Sequence, residues 1–141
     1  MKNLKALFLL LPLVFGSCVK PLYLTINYSD DENAKGKINI LPSRSLMGAS
    51  LTMNGKLLVE QKYIKKITVQ NLPDGVYDYH LTCENFKLEE KVDEQNQCLV
   101  KDGNEQYFLV ESPPYSQGYW IYRGLGTLGA FILWALLDWE N

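Results

Sequence analysis

The side chains able to do chemistry are few, and their spacing does not group them. His80 is the single histidine, the three cysteines are Cys18, Cys83 and Cys98, and the arginines are Arg44 and Arg123. A hydrolytic triad would have to use His80, which falls mid-strand beside Asp78, and no Gly-x-Ser-x-Gly turn is present to expose a nucleophile. Glu89 and Glu90 are adjacent in an extended stretch, so they point to opposite faces and cannot share a substrate. One cysteine pair without C-x-x-C spacing, plus one histidine, does not supply the four ligands of a zinc site. Two arginines are too few for a phosphate clamp. The run Ser29-Asp30-Asp31-Glu32-Asn33 is the densest acidic stretch. It lacks the spacing and terminal bidentate glutamate of a calcium loop, which leaves a solvated loop as the plain reading and calcium as the alternative. Gly124-Leu125-Gly126-Thr127-Leu128-Gly129 fits the G-x-G-x-x-G pattern, yet only twelve residues follow it and no strand–helix–strand unit surrounds it. Its small residues read instead as places where helices approach closely. No enzyme, cofactor or metal is expected.

The elements that hold these residues begin with an N-terminal segment. Lys2 and Lys5 precede an apolar run from Ala6 to Phe15, followed by Gly16-Ser17-Cys18. A basic start, a short apolar stretch and small residues are the anatomy of an export signal. Residues 4–15, twelve in all, give about 18 Å of helix, short of the ~30 Å hydrocarbon core. A plain secretory signal or an uncleaved membrane helix are the alternatives. Val14-Phe15-Gly16-Ser17-Cys18 resembles the lipobox of bacterial lipoproteins, with Phe15 where leucine is usual. The resemblance implies cleavage before Cys18 and acylation of its sulfur. Val19 after the cysteine implies sorting to the outer rather than the inner membrane. Removing residues 1–17 leaves 124 of the 141 residues, enough for one domain, and takes the formal charge from −2 to −4. With no lysine or arginine cluster, nothing marks a nucleic-acid partner. If Cys18 carries lipid, Cys83 and Cys98 remain as one pair, expected as a disulfide in an exported chain; two buried thiols are the alternative.

Residues 18–21 are a short tether. Beyond them, period-two alternation predicts short strands at Leu22–Tyr28, Lys37–Leu41, Ser50–Met53, Lys56–Glu60, Ile64–Asn71, Val76–Cys83, Phe86–Val92, Cys98–Lys101 and Glu105–Glu111. Asn54-Gly55 and Asp102-Gly103 are hairpin signals, and Pro73-Asp74-Gly75 is a turn. The expected fold is all-β, a small antiparallel β-sandwich over residues 22–112, with an N-terminal signal helix and a short C-terminal hydrophobic helix. Ser50-Leu51-Thr52-Met53-Asn54-Gly55-Lys56, with Asn71-Leu72-Pro73-Asp74-Gly75-Val76-Tyr77, resembles PEGA and carboxypeptidase-regulatory-like modules, in which a tight turn precedes an aromatic that plugs the core. The Pro-Glu-Gly-Ala signature is absent, so that resemblance implies architecture alone. The expected function is a non-catalytic envelope interaction module with a protein or glycan partner. The alternative is a structural membrane-associated subunit assembling through its C-terminal helix. Tyr23 and Tyr63 are candidates for stacking on a sugar.

Residues 115–139 form a hydrophobic tail. Leu125 to Leu137 carries no charge, and an apolar run without a polar face must be covered. Tyr119, Trp120, Arg123, Phe131, Trp134 and Trp139 are its candidate membrane or partner contacts. Alternatives are a span or dip into the bilayer, assembly with other helices, and packing on the domain itself. Mass spectrometry of the mature N-terminus is expected to find a diacylglyceryl cysteine at position 18; an unmodified Cys18 would remove the lipoprotein reading.

Overall fold

The computed structural model describes residues 20–31, 33–85 and 87–138. The signal helix and Cys18 lie outside the described residues. Seven strands, β1 (Leu22–Asn27), β2 (Gly36–Pro42), β3 (Leu46–Met53), β4 (Lys56–Leu72), β5 (Gly75–Cys83), β6 (Val92–Val100) and β7 (Glu105–Val110), precede one helix, α1 (Gln117–Asp138). The chain is mostly β, its strands joined in one sheet that is nearly barrel-shaped.

β4 organises the rest. Its 17 residues span both regions predicted as separate strands, 56–60 and 64–71. The N-terminal half pairs with β3, while Thr68 in the C-terminal half is flanked by Thr25 of β1 and Asn39 of β2. The strand folds back on itself near Gln61, which takes a positive φ of 45°. Its two ends therefore return to one pole: Lys56 Nζ stands 5.4 Å from the Tyr28 ring, and the Tyr28 N–H donates to the Gln70 carbonyl at 2.9 Å. A positive φ at a non-glycine residue explains why Gln61-Lys62-Tyr63 read as a break.

The sheet is mixed, which corrects the antiparallel expectation: β1 runs parallel to β4, and β7 parallel to β2. Asn54 (φ 48°) and Gly55 (φ 74°) form the turn of the β3–β4 hairpin, as their types require. Asp102 (φ 55°) and Gly103 (φ 67°) also turn, but no hairpin follows, because β7 crosses to β2 instead of pairing with β6. The strand expected at 86–92 is displaced to β6. Phe86 lies outside the described residues, and Leu88 makes an isolated bridge to Tyr115 instead of joining the sheet. β6 hid because its central residues, from Asp93 to Gln97, are polar, leaving only Val92, Cys98 and Val100 buried.

The inner faces meet in a core of Ile38, Ile40, Leu46, Leu51, Met53, Ile64, Ile67, Val69, Leu72, Tyr79 and Leu81, all essentially without solvent contact. Each such aliphatic side chain contributes about 1.5–3 kcal/mol by leaving water. Tyr79 of β5 packs edge-on against Phe108 of β7 at 5.1 Å, closing the interior. Tyr77 is buried, and its hydroxyl donates to the Pro73 carbonyl at 2.8 Å, locking the turn that precedes it.

The expected disulfide does not form. Cys83 and Cys98 are free, buried thiols on neighbouring strands. Cys83 stands opposite Val92, and Cys98 opposite Tyr77, six positions along β5 from Cys83. At ~3.4 Å per residue the two lie roughly 20 Å apart, far beyond the ~7 Å limit between bridged Cα atoms.

Gly36 sits where β2 passes β6. A Cβ there would strike Val100 Cγ1 and lie 2.5 Å from the Leu72 carbonyl oxygen. Gly36→Ala is expected to destabilise the domain by about 1–3 kcal/mol, read as a lower urea midpoint at unchanged slope. A midpoint equal to wild type would mean that this crossing is loose.

Candidate interaction site at the root of the helix

The chain leaves the sheet at Val110, and residues 112–116 are stitched to two loops. The Ser112 N–H donates to Ser43 Oγ at 3.0 Å, and Arg44 Nη1 donates to the Pro113 carbonyl at 3.3 Å. Pro113 and Pro114 have no N–H to offer, so their carbonyls do the joining. The Glu89 N–H donates to the Pro114 carbonyl at 3.0 Å, and the Ser116 N–H to the Lys87 carbonyl at 2.8 Å. Ser116 then caps the helix, its Oγ accepting from the Tyr119 N–H at 3.2 Å, a contact worth ~1 kcal/mol. These bonds fix where α1 starts.

Three aromatic rings gather at that start. Tyr115 and Tyr119 lie 4.7 Å apart, Tyr119 and Trp120 5.6 Å, and Tyr115 and Trp120 6.1 Å. A cation stands over each ring: Arg44 at 5.4 Å from Tyr115, Lys87 at 5.7 Å from Tyr119, and Arg123 at 5.9 Å from Trp120. Exposed contacts of this kind are worth about 0.5–1 kcal/mol each. A cleft between this cluster and the sheet is lined by Ser45, Met47, Tyr63 and Asn85. Tyr63 adjoins Ile64, and Ile64 is the register partner of Leu22, the first residue of β1. The start of β1 and the root of α1 therefore occupy one pole of the domain. At the opposite pole stand Asp31, Asp74 and Asp102.

Beyond its root, the described side chains of α1 are largely exposed. Exposure is 55% at Trp120, 64% at Leu125, 60% at Leu128 and 66% at Phe131. Space around Gly124, Gly126 and Gly129 is open, with nothing a Cβ would meet. Glycine inside a helix costs ~1 kcal/mol relative to alanine, and an apolar helix gains its stability from the surface that covers it. No helix among the described residues is long and apolar enough to cross a membrane. The side chain of Trp134, and Trp139 entirely, lie outside the described residues. Arg44 and Lys87 escaped the sequence reading because their ring partners are distant in the chain; only the folded stitching of 112–116 brings them together.

The other residues singled out stand apart from this site. His80 Nε2 pairs with Asp93 Oδ1 at 2.6 Å, not with Asp78, and Lys91 holds the second Asp93 oxygen at 3.1 Å. Hydrogen bonds from His80 and Lys91 hold the Asp93 carboxyl below its usual range. Burial raises both thiols, Cys98 to about 11, so they are protonated at neutral pH and poor nucleophiles. Tyr23 is exposed beside Lys65, whose Nζ lies 5.8 Å from its ring. In the acidic run, Ser29 Oγ donates to the Asn71 carbonyl at 2.9 Å, and Asp31 Oδ1 accepts from the Asn33 N–H at 2.9 Å.

A polar cluster on the outer face had no signal in the sequence. Thr68 Oγ1 donates to Asn39 Oδ1 at 2.9 Å, and Asn39 Nδ2 donates to Glu105 Oε1 at 2.7 Å, with Lys37 Nζ 3.3 Å from the same carboxylate. Bonds from Asn39, Tyr107 and Lys37 depress the Glu105 carboxyl. A carboxylate depressed in the folded state stabilises fully above its unfolded value, and that stability is lost as pH falls through the folded value. Urea midpoints should therefore drop on acidification below the ordinary carboxylate range, and Glu105→Gln should flatten part of the drop. An unchanged pH slope would separate this cluster from folding.

No family model, curated protein or solved structure matches this chain.

Proposed function

We propose that this chain is a lipid-anchored, non-catalytic interaction module of a bacterial cell envelope, held at Cys18 and touching the membrane a second time through α1. The observation that carries the reading is that a helix with exposed apolar side chains, Trp120, Ile121, Leu125 and Leu128 among them, leaves the domain at the pole where β1 begins. Residues 18–21 reach at most about 14 Å, so an acylated Cys18 would hold that same pole against the bilayer. Aromatic rings and cations at the root of α1 are the side chains that favour the lipid–water boundary. Val19 after the cysteine favours the outer membrane. A small β-sandwich of the PEGA or carboxypeptidase-regulatory-like kind is the fold reading that goes with it. The Asn54-Gly55 turn, the Tyr77–Pro73 bond and the Tyr79–Phe108 contact support that fold reading. The free pole would then meet an envelope protein or glycan.

A second reading is a structural subunit assembling through α1, favoured by the open space around Gly124, Gly126 and Gly129. The three tryptophans are 120, 134 and 139, all in the tail, so fluorescence reports on nothing else. In the full chain reconstituted into vesicles, emission should shift to the blue and be quenched by brominated acyl chains. Emission typical of water would overturn the membrane reading. Deleting 115–141 should leave the protein lipid-bound and its complex size unchanged; collapse of a larger complex would select the second reading.

A further inference from the structure

We infer that the pole carrying the root of α1 is a docking surface for anionic lipid headgroups. The inference rests on the membrane reading of α1 and adds the chemistry of the surface it meets. Four cations each stand over an aromatic ring at this pole: Arg44 on Tyr115, Lys87 on Tyr119, Arg123 on Trp120, and Lys65 on Tyr23 at the start of β1. Arg44, Lys65 and Arg123 are exposed. The ion pairs among the described residues are Lys37–Glu105, His80–Asp93 and Lys91–Asp93, so none of those three cations is neutralised by a described carboxylate. Glu89, Glu90 and Glu111 flank the same segment in sequence without entering those pairs. The far pole carries both signs, with Asp31, Asp74 and Asp102 beside Lys35.

Cations stacked on rings at the root of α1 fit a negatively charged surface on that side. Arg44 spends one guanidinium nitrogen on the Pro113 carbonyl, which orients the remaining donors. A guanidinium stacked on an aromatic ring at the root of an apolar helix can bind a lipid phosphate while the ring enters the acyl boundary.

The test uses the full chain carrying Trp134→Phe and Trp139→Phe, reconstituted into vesicles of phosphatidylcholine alone or of equimolar phosphatidylcholine and phosphatidylglycerol. Acrylamide quenching of Trp120 reads how deeply the root is seated. Shielding should be several-fold stronger in the anionic vesicles, and added salt should erase the difference. Arg44→Gln, Lys65→Gln and Arg123→Gln should each lower the ratio of docked to undocked root by about fivefold, and together abolish the preference. Arg44→Lys and Arg123→Lys should retain it, which separates charge from loss of folding. Lys35→Gln, Lys56→Gln and Lys101→Gln, at the far pole, should change nothing. Equal shielding in both vesicles overturns the anionic preference while leaving the membrane contact of α1 intact. A preference that survives the triple variant, or that disappears with the far-pole lysines, also overturns it. An unshielded Trp120 in both vesicles overturns this inference and the membrane reading together.

Discussion

The fold depends on one strand doubling back. β4 is long enough to serve two halves of the sheet, and its bend at Gln61 turns what would be a flat ribbon into a nearly closed shell. Ile64, Ile67 and Val69 from its C-terminal half share one buried core with Val59 from its N-terminal half and with Tyr79 and Leu81 of β5. β1 runs parallel along the C-terminal half of β4, and β7 runs parallel along β2. Even the buried Asn39 depends on β4, because Thr68 supplies the hydroxyl that lets an amide sit inside without cost. Among the described residues, no buried side-chain nitrogen or oxygen lacks a partner.

Much of this was legible in the residues. Tyr77, Tyr79, Leu81 and Cys83 alternate so cleanly that the inward face of β5 could be read directly, and Asn54-Gly55 announced its turn. What escaped was anything decided by distance along the chain. Asp102-Gly103 turns as its types demand, but whether the next strand pairs with the previous one is settled by β2, more than sixty residues earlier. The cysteine pair misled for a related reason. Parity suggested a bond, while the antiparallel register, invisible in composition, places the thiols at opposite ends of one ladder. The site at the helix root was half legible: its aromatic and apolar residues are consecutive, whereas Arg44 and Lys87 come from separate loops.

α1 differs from everything before it. The sheet encloses a core and leaves no buried side-chain nitrogen or oxygen unmatched among the described residues, although Val76, Leu99 and Leu109 on its strands stay exposed. The helix has no such core, and it carries no acidic residue in its first turn and no basic one in its last to offset its dipole. Four polypeptide hydrogen bonds and a serine cap nonetheless fix its starting point firmly to the domain. If α1 meets a membrane or a partner, it does so from a starting point that the folded shell has already fixed.

The shared pole of β1 and α1 has a consequence for how the far loops are met. A particle tethered by one flexible point tumbles and presents every face in turn. Two attachments at one end would remove the tumbling and leave only spin about the membrane normal and a limited tilt. Asp31, Asp74 and Asp102 would then face outward at all times, on a domain whose orientation is already fixed. A partner approaching from that side would find much of the rotational freedom that association ordinarily removes already surrendered to the bilayer, so a small contact area would suffice for recognition.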